Sequence, residues 1–244
     1  MSEENPTRRE RYRRQTVTQI KAAAMAQVHA GGAQALSLHA IARSMAMSPP
    51  ALYRYFGSRD ELLAELVVDV HLALAENLEA VAACDASPPA RLRAVAEAFR
   101  GWALAEPNAY HLAYGQAGSG LENAAQRIAP AAQRSMNVLL GVVAEAGQPP
   151  AAPLPAALEQ QIRRWNGSGV QHGPPTWVLY VGLVWWSRLH GLISLELAGH
   201  LAATEIDPAL LYRAEVEAML DSLGRPEPPT SADPDLAPGC AVAS

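Results

Sequence analysis

The sequence predicts an all-α protein: a small three-helix unit at the N-terminus and a larger helical body behind it. Three observations predict this class. Half of the residues are apolar and Ala dominates them, whereas Phe occurs twice and β-branched runs are rare, a composition that favours helices over strands. Apolar residues recur at three- and four-residue spacing over long stretches. Ser, Pro and Gly stand where helices must begin and end. At 244 residues the chain is long enough to bury a sizeable core.

Residues 1–10 read as a flexible basic arm and residues 11–60 as the three-helix unit. Val17, Ile20, Ala24 and Val28 share one face of a first helix that starts at Arg8 or Arg11 and runs to Ala30, where Gly31 and Gly32 end it. Ser37 caps a second helix with the apolar face Leu38, Ile41, Ala42 and Met45. After a tight turn, Ser48 caps a short third helix with Pro49 at its favoured first position. Ser58 caps a fourth helix, and Glu61 completes a capping box. That helix, about residues 59–82, links the head to the body, which spans residues 61–224.

Further helices are predicted over residues 88–105, from Pro107 through PNAYHLAYG, over 121–146 with a kink at Pro130, through ALEQQIRRW, and over 176–201 and 208–223. A Pro-rich break, QPPAAPLP, covers residues 148–155. Residues 225–244 hold five prolines and read as a disordered tail.

Charge is distributed unevenly. The net charge is −5, yet residues 1–60 hold nine Lys/Arg against four acids and the rest holds ten against twenty. The protein is a basic head on an acidic body, and only the head suits phosphates. Cys84 and Cys240 stand far apart, give neither a disulfide framework nor metal spacing, and fit a reducing cytoplasm. No metal site or cofactor is expected. The N-terminus has no apolar signal segment. The apolar stretch near residues 177–197 is broken by Ser187, Arg188 and His190 after ten residues, which reads as a buried helix rather than a membrane span.

The run SLHAIARSMAMSPPALYRYFGSRDEL, residues 37–62, encodes two short helices, a tight turn and the start of a third helix. A helix of this kind enters the major groove with its N-terminal residues, here Ser48, Pro49, Pro50 and Ala51. Their small size lets the backbone approach. Ser48 and Arg54 offer hydrogen bonds, while Pro50 and Ala51 suit a thymine methyl. Tyr53 and Tyr55 offer hydroxyls to phosphate oxygens. Arg59 in the first turn of the fourth helix, and Ser37 with Leu38 at the start of the second, sit beside free backbone N–H groups that attract anions. Arg13 and Arg14, with Arg8, Arg9 and Arg11, form an arm suited to a minor groove or the backbone. The expected partner is double-stranded DNA.

Ile41-Ala42-Arg43, Ser48, Leu52-Tyr53-Arg54-Tyr55-Phe56, Arg59 and Leu62-Leu63 together resemble the DNA-binding domain of TetR-family transcriptional regulators over residues 12–63. The resemblance implies DNA contacts from Ser37, Ser48, Tyr53, Tyr55 and Arg59, where the family usually has Lys at the last position. It usually has Gly in the turn, where this chain has Ala46.

The resemblance also implies a helical ligand-binding and dimerisation body and a homodimer on a palindromic operator. WWSRLHGLISLEL, residues 185–197, is similar to a Trp-x-x-x-His-Gly pattern of one subgroup. Ser187, Gly191, Ser194 and Ala198 form a small-residue stripe on that helix. With Leu211 and Met219 of the last helix they are the expected two-fold interface. Trp102, Tyr110, His111, Tyr114, Met136, Trp165, Trp177, Tyr180 and Trp185 are candidates to line a pocket for an apolar small-molecule effector. AGSG at 117–120 lacks the first Gly of a nucleophile elbow, and neither H-E-x-x-H nor a P-loop occurs, so an enzyme is not expected. The expected function is a ligand-responsive repressor. A regulator or activator that needs no ligand, and more distantly a helical binding protein or enzyme, remain as alternatives.

Overall fold

The computed structural model describes residues 7–115, 124–150, 153–165 and 173–224; they form ten α-helices and no strand. The tail at 225–244 and part of the arm lie outside them.

The head is built from α1 (Arg8–Gly31), α2 (Leu38–Ser44), α3 (Pro49–Tyr53) and the first turns of α4 (Arg59–Ala82). α1 begins within the predicted arm, because Thr7 and Glu10 form a reciprocal capping box. Arg8 and Arg9 are therefore held on a helix. Ile20, Ala24 and Val28 of α1 pack with Ile41, Leu52, Phe56, Leu62 and Leu66 in one core. Gly32, at φ 72°, turns the chain into a short 3₁₀ turn over Ala33–Ala35.

Ser37 caps α2 through Ala40 N–H as expected. Ser48 precedes α3 in extended conformation, but its hydroxyl caps nothing. Pro50 removes one of the two N–H groups a cap would bind, and the N–H of Ala51, the other, bonds the Ser48 carbonyl instead. At α4, Ser58 Oγ accepts from Glu61 N–H, while the Glu61 carboxylate reaches Gly57 N–H at 2.7 Å instead of the Ser58 N–H that a capping box requires. Ala46, in the turn between α2 and α3, has φ 52°.

The body comprises most of α4, α5 (Pro88–Ala105), α6 (Pro107–Tyr114), α7 (Ala125–Ala146), α8 (Ala156–Trp165), α9 (Thr176–Leu197) and α10 (Pro208–Gly224). α7 lies along α4 and also touches α5 and α9. Its contact with α9 depends on Gly182, where a Cβ would strike Leu140. α9 stops four residues before the predicted end. Gly199 takes φ 72°, its N–H bonds the Glu196 carbonyl, and His200 N–H bonds the Leu195 carbonyl, which closes the helix.

α9 is long and apolar enough to cross a membrane, with mean hydropathy 1.3 in its best window. In the fold it packs against α5, α7, α8 and α10. Its charges are paired: Arg188 with Glu215 at 2.9 Å, and Glu196 with Arg100 through two hydrogen bonds.

Helices α4 and α6 both join head to body. α4 runs through both, and α6 packs against α1 and α4. Asn108 on α6 donates to the His29 carbonyl near the end of α1 at 2.8 Å. Lys21 of α1 pairs with Asp69 of α4 at 2.6 Å.

Candidate nucleic-acid interface and body cavity

α3 owes its exposure to its anchors. Leu52 and Phe56 are buried, which leaves Ser48, Pro49, Pro50, Tyr53 and Arg54 exposed and Ala51 half-exposed along the outer face. Tyr53 is 44% exposed. Tyr55 is half-buried, and the Arg13 guanidinium sits 5.6 Å from its ring centroid, so the arm helix and α3 meet here. Arg14 is exposed on α1. Arg8, Arg9, Arg11 and the 69% exposed Tyr12 continue the surface.

Two expected DNA contacts are placed differently. Leu38 is buried in the head core, because as the first residue of α2's apolar face it turns inward under Ser37. Arg59 is half-exposed, and its guanidinium donates to the Leu36 carbonyl at 3.2 Å and to the Ala33 carbonyl. It pins α4 to the 3₁₀ turn before α2, and these bonds occupy the fork that would otherwise face phosphate.

The body contains a cavity of about 290 Å³ between α4, α5, α7 and α9. Leu74, Val95, Phe99, Leu139 and Leu189 form apolar wall, with Tyr114 from α6 and Trp165 from α8. Three of the nine predicted pocket residues, Tyr114, Met136 and Trp165, line it. The other six stand elsewhere. Trp185 is buried in the bundle core, and Tyr110 lies behind the wall. Trp177 and Tyr180 pack on that core from its edge. Trp102 borders a second, more polar groove with Lys21 and Asp69, and His111 is exposed. A bulky aromatic in a helix fills whichever gap its rotation offers, so size alone did not locate the cavity. Phe99, Ser135, Trp186 and His190, none of them among the nine candidates, are also in the wall.

Trp186 and His190, one helical turn apart on α9, have ring centroids 4.4 Å apart. Phe99 and Tyr114 also meet His190 edge-on. Behind the wall, Tyr110 Oη lies 3.0 Å from His190 Nδ1 and 2.9 Å from Ser194 Oγ. Burial, helped by nearby His71, pushes the His190 pKa down to about 4, so the ring is neutral at ordinary pH.

The predicted interface stripe lies on the outside of α9: Ser187, Gly191, Ser194 and Ala198 are exposed, and a Cβ at Gly191 would touch nothing. Leu211 is half-buried. Met219 does not join this surface. It is 1% exposed, because it faces the core of its own chain with Tyr212 and Val216.

A helix-turn-helix head with an arginine-bearing helix, set on a separate helical body, defines a DNA-binding transcriptional regulator. Residues 20–66 match the family described as bacterial regulatory proteins, tetR family, and residues 92–219 match the tetracyclin repressor-like C-terminal domain. The chain belongs to the TetR family of transcriptional regulators and is not an enzyme. It is 33% identical over 202 residues to the HTH-type transcriptional regulator Rv1816 of Mycobacterium tuberculosis, covering 78% of this chain and 84% of the relative. The crystal structure of the regulatory protein SCO4313 superposes with a TM-score of 0.73 at 39% identity, covering 88% of this chain and all of that one. A TetR-family regulatory protein from Rhodococcus RHA1, 19% identical, shares the fold with a TM-score of 0.56 over 85% of this chain and 96% of its own.

Proposed function

We propose that the protein is a homodimeric, cytoplasmic repressor that leaves a palindromic operator when a small, largely apolar effector enters the body cavity. One observation carries this reading: the cavity shares a helix with the DNA reader. Leu74 and Leu78 of α4 are in the cavity wall, while the first two turns of the same helix hold the α2–α3 unit through Arg59, Leu62 and Leu66. An effector that shifts α4 changes the separation of two heads, which must sit about 34–36 Å apart to meet successive major grooves. The effector acts only through a difference in affinity between the two arrangements. α6 is a second strut, because it touches the His190 side of the cavity through Tyr110 and the end of α1 through Asn108.

In the DNA complex, Ser48, Pro49, Pro50, Ala51 and Arg54 face bases. Ser37, Tyr53, Tyr55, Arg13 and Arg14 meet the backbone. Arg59 acts by holding the turn at Ala33 and Leu36 in place. The exposed stripe of α9, with Leu211 of α10, is the two-fold contact.

Selection from a random duplex pool, followed by operator titration with and without candidate effectors, tests the reading. A palindrome should be recovered, Tyr53→Ala should weaken its binding by about tenfold or more, and an effector should release it. An operator that no effector releases would leave a dimeric regulator without the ligand response.

A further inference from the structure

The cavity is apolar over most of its wall; besides the Gln133 amide and the polar atoms of Tyr114, Trp165 and Trp186, two polar groups in it stand out. Ser135 Oγ on α7 and His190 Nε2 on α9 are buried and have no hydrogen-bond partner among the described residues. Both residues line the cavity, at 8% and 9% exposed. A buried polar atom without a partner costs stability that a leucine or phenylalanine in its place would not. A third such atom, His71 Nδ1, belongs to a residue outside the wall and edge-on to Tyr114.

The orientation of His190 is fixed from behind. Its Nδ1 faces the Tyr110 hydroxyl, and Tyr110 is not a wall residue, so Nε2 is the ring nitrogen on the other side. Ring contacts from Phe99, Tyr114 and Trp186 hold that setting. Among the described residues no charged side chain lines the cavity. Arg100 and Arg134, adjacent in sequence to the wall residues Phe99 and Ser135, are engaged with Glu196 and Glu79. An anion entering here would lose its hydration and find no counter-charge.

We propose that the cavity selects an uncharged effector, apolar over most of its surface, that bears one hydroxyl group, and that Ser135 and His190 recognise that hydroxyl. This rests on the reading of the cavity as the effector site. A neutral imidazole has one donor and one acceptor nitrogen. Whichever way the Ser194–Tyr110–His190 chain directs its protons, Nε2 is one or the other. A hydroxyl satisfies both cases, a ketone only one, and a hydrocarbon neither. The volume of about 290 Å³ suits a compact molecule, at the small end of ligand pockets.

Calorimetric titration of the full chain with 2-naphthol, naphthalene and 2-naphthoate tests this. 2-Naphthol should bind about tenfold more tightly than naphthalene, the worth of one or two neutral hydrogen bonds, and more tightly than 2-naphthoate. Ser135→Ala and His190→Asn should each reduce that preference, and the double variant should bring it to within about threefold of parity while naphthalene affinity holds. Asn keeps a polar atom near the Nδ1 position for Tyr110 and removes Nε2. Retained naphthalene binding shows that the variants fold and keep the cavity. Tightest binding by the carboxylate, or a hydroxyl preference that survives both substitutions, overturns the proposal and leaves the cavity a ligand site. Binding of none of the three probes overturns the effector site as well.

Discussion

Ala46 and His190 show what single positions contribute. Ala46 holds φ 52° in the turn that orients α3, a region where an L side chain costs about 1–2 kcal/mol. Glycine removes that strain but gives the unfolded chain more freedom, worth about 0.4–1 kcal/mol. Ala46→Gly should therefore stabilise the protein by about 0.5–1 kcal/mol, measured as a rise in the denaturant midpoint at unchanged slope. No rise would mean the turn accommodates the methyl without strain. For His190 the folded pKa, about 4, lies below the unfolded value near 6.5. The unfolded chain thus takes up the proton first, so stability present above about pH 6.5 is lost as pH falls toward 4. His71, also lowered by burial, contributes stability that is likewise lost as pH falls. Stability measured across this range should fall more steeply in the wild type than in His190→Asn. Identical slopes would show that the ring is not held neutral.

At the scale of elements, an ion pair ties α5 to α9. Arg100 and Glu196 form a two-bond ion pair with side chains only 15% and 16% exposed, and Arg100 also lies over the Tyr212 ring. Glu196→Ala leaves a partly buried guanidinium without its partner. The expected loss is about 3 kcal/mol, read from chemical unfolding; a loss under about 1 kcal/mol would mean that water replaces the carboxylate freely. The surface pairs Arg93–Glu217 and Arg134–Glu79 have similar geometry but lie in solvent, so removing either should change stability far less.

For the whole molecule, charge and assembly are the relevant quantities. The head carries +5 and the remainder −10, so operator affinity should fall steeply with salt. Removal of Arg8, Arg9 and Arg11 together should flatten the slope of log affinity against log salt by up to about 3. An unchanged slope would place the arm helix off the DNA. The exposed stripe of α9 offers a matching test of assembly. Gly191→Arg adds a side chain where the chain has open space, so the fold should persist while the dimer dissociates, as sedimentation would report. A dimer that survives would place the two-fold contact elsewhere.

The DNA-binding head was legible in the sequence because its information is local. Caps at Ser37 and Ser58, prolines at 49 and 50, and the spacing of Ile41, Leu52, Phe56 and Leu62 each act within a few residues, and most recur in the fold. Even the strained turn at Ala46 was visible as an alanine where glycine is usual. Helix order in the body followed from the same signals. Which side of each body helix faces a neighbour did not, since α4 and α9 are apolar around much of their circumference. Tertiary packing turned Met219 inward, drew Arg59 onto the carbonyls of Ala33 and Leu36, and left Gly191 on the surface. It also brought Ser135 and His190, distant in the chain and unremarkable in it, to the wall of one cavity. Local sequence sets where a helix starts and stops, whereas the rotation of that helix is settled by the shapes of the helices it meets.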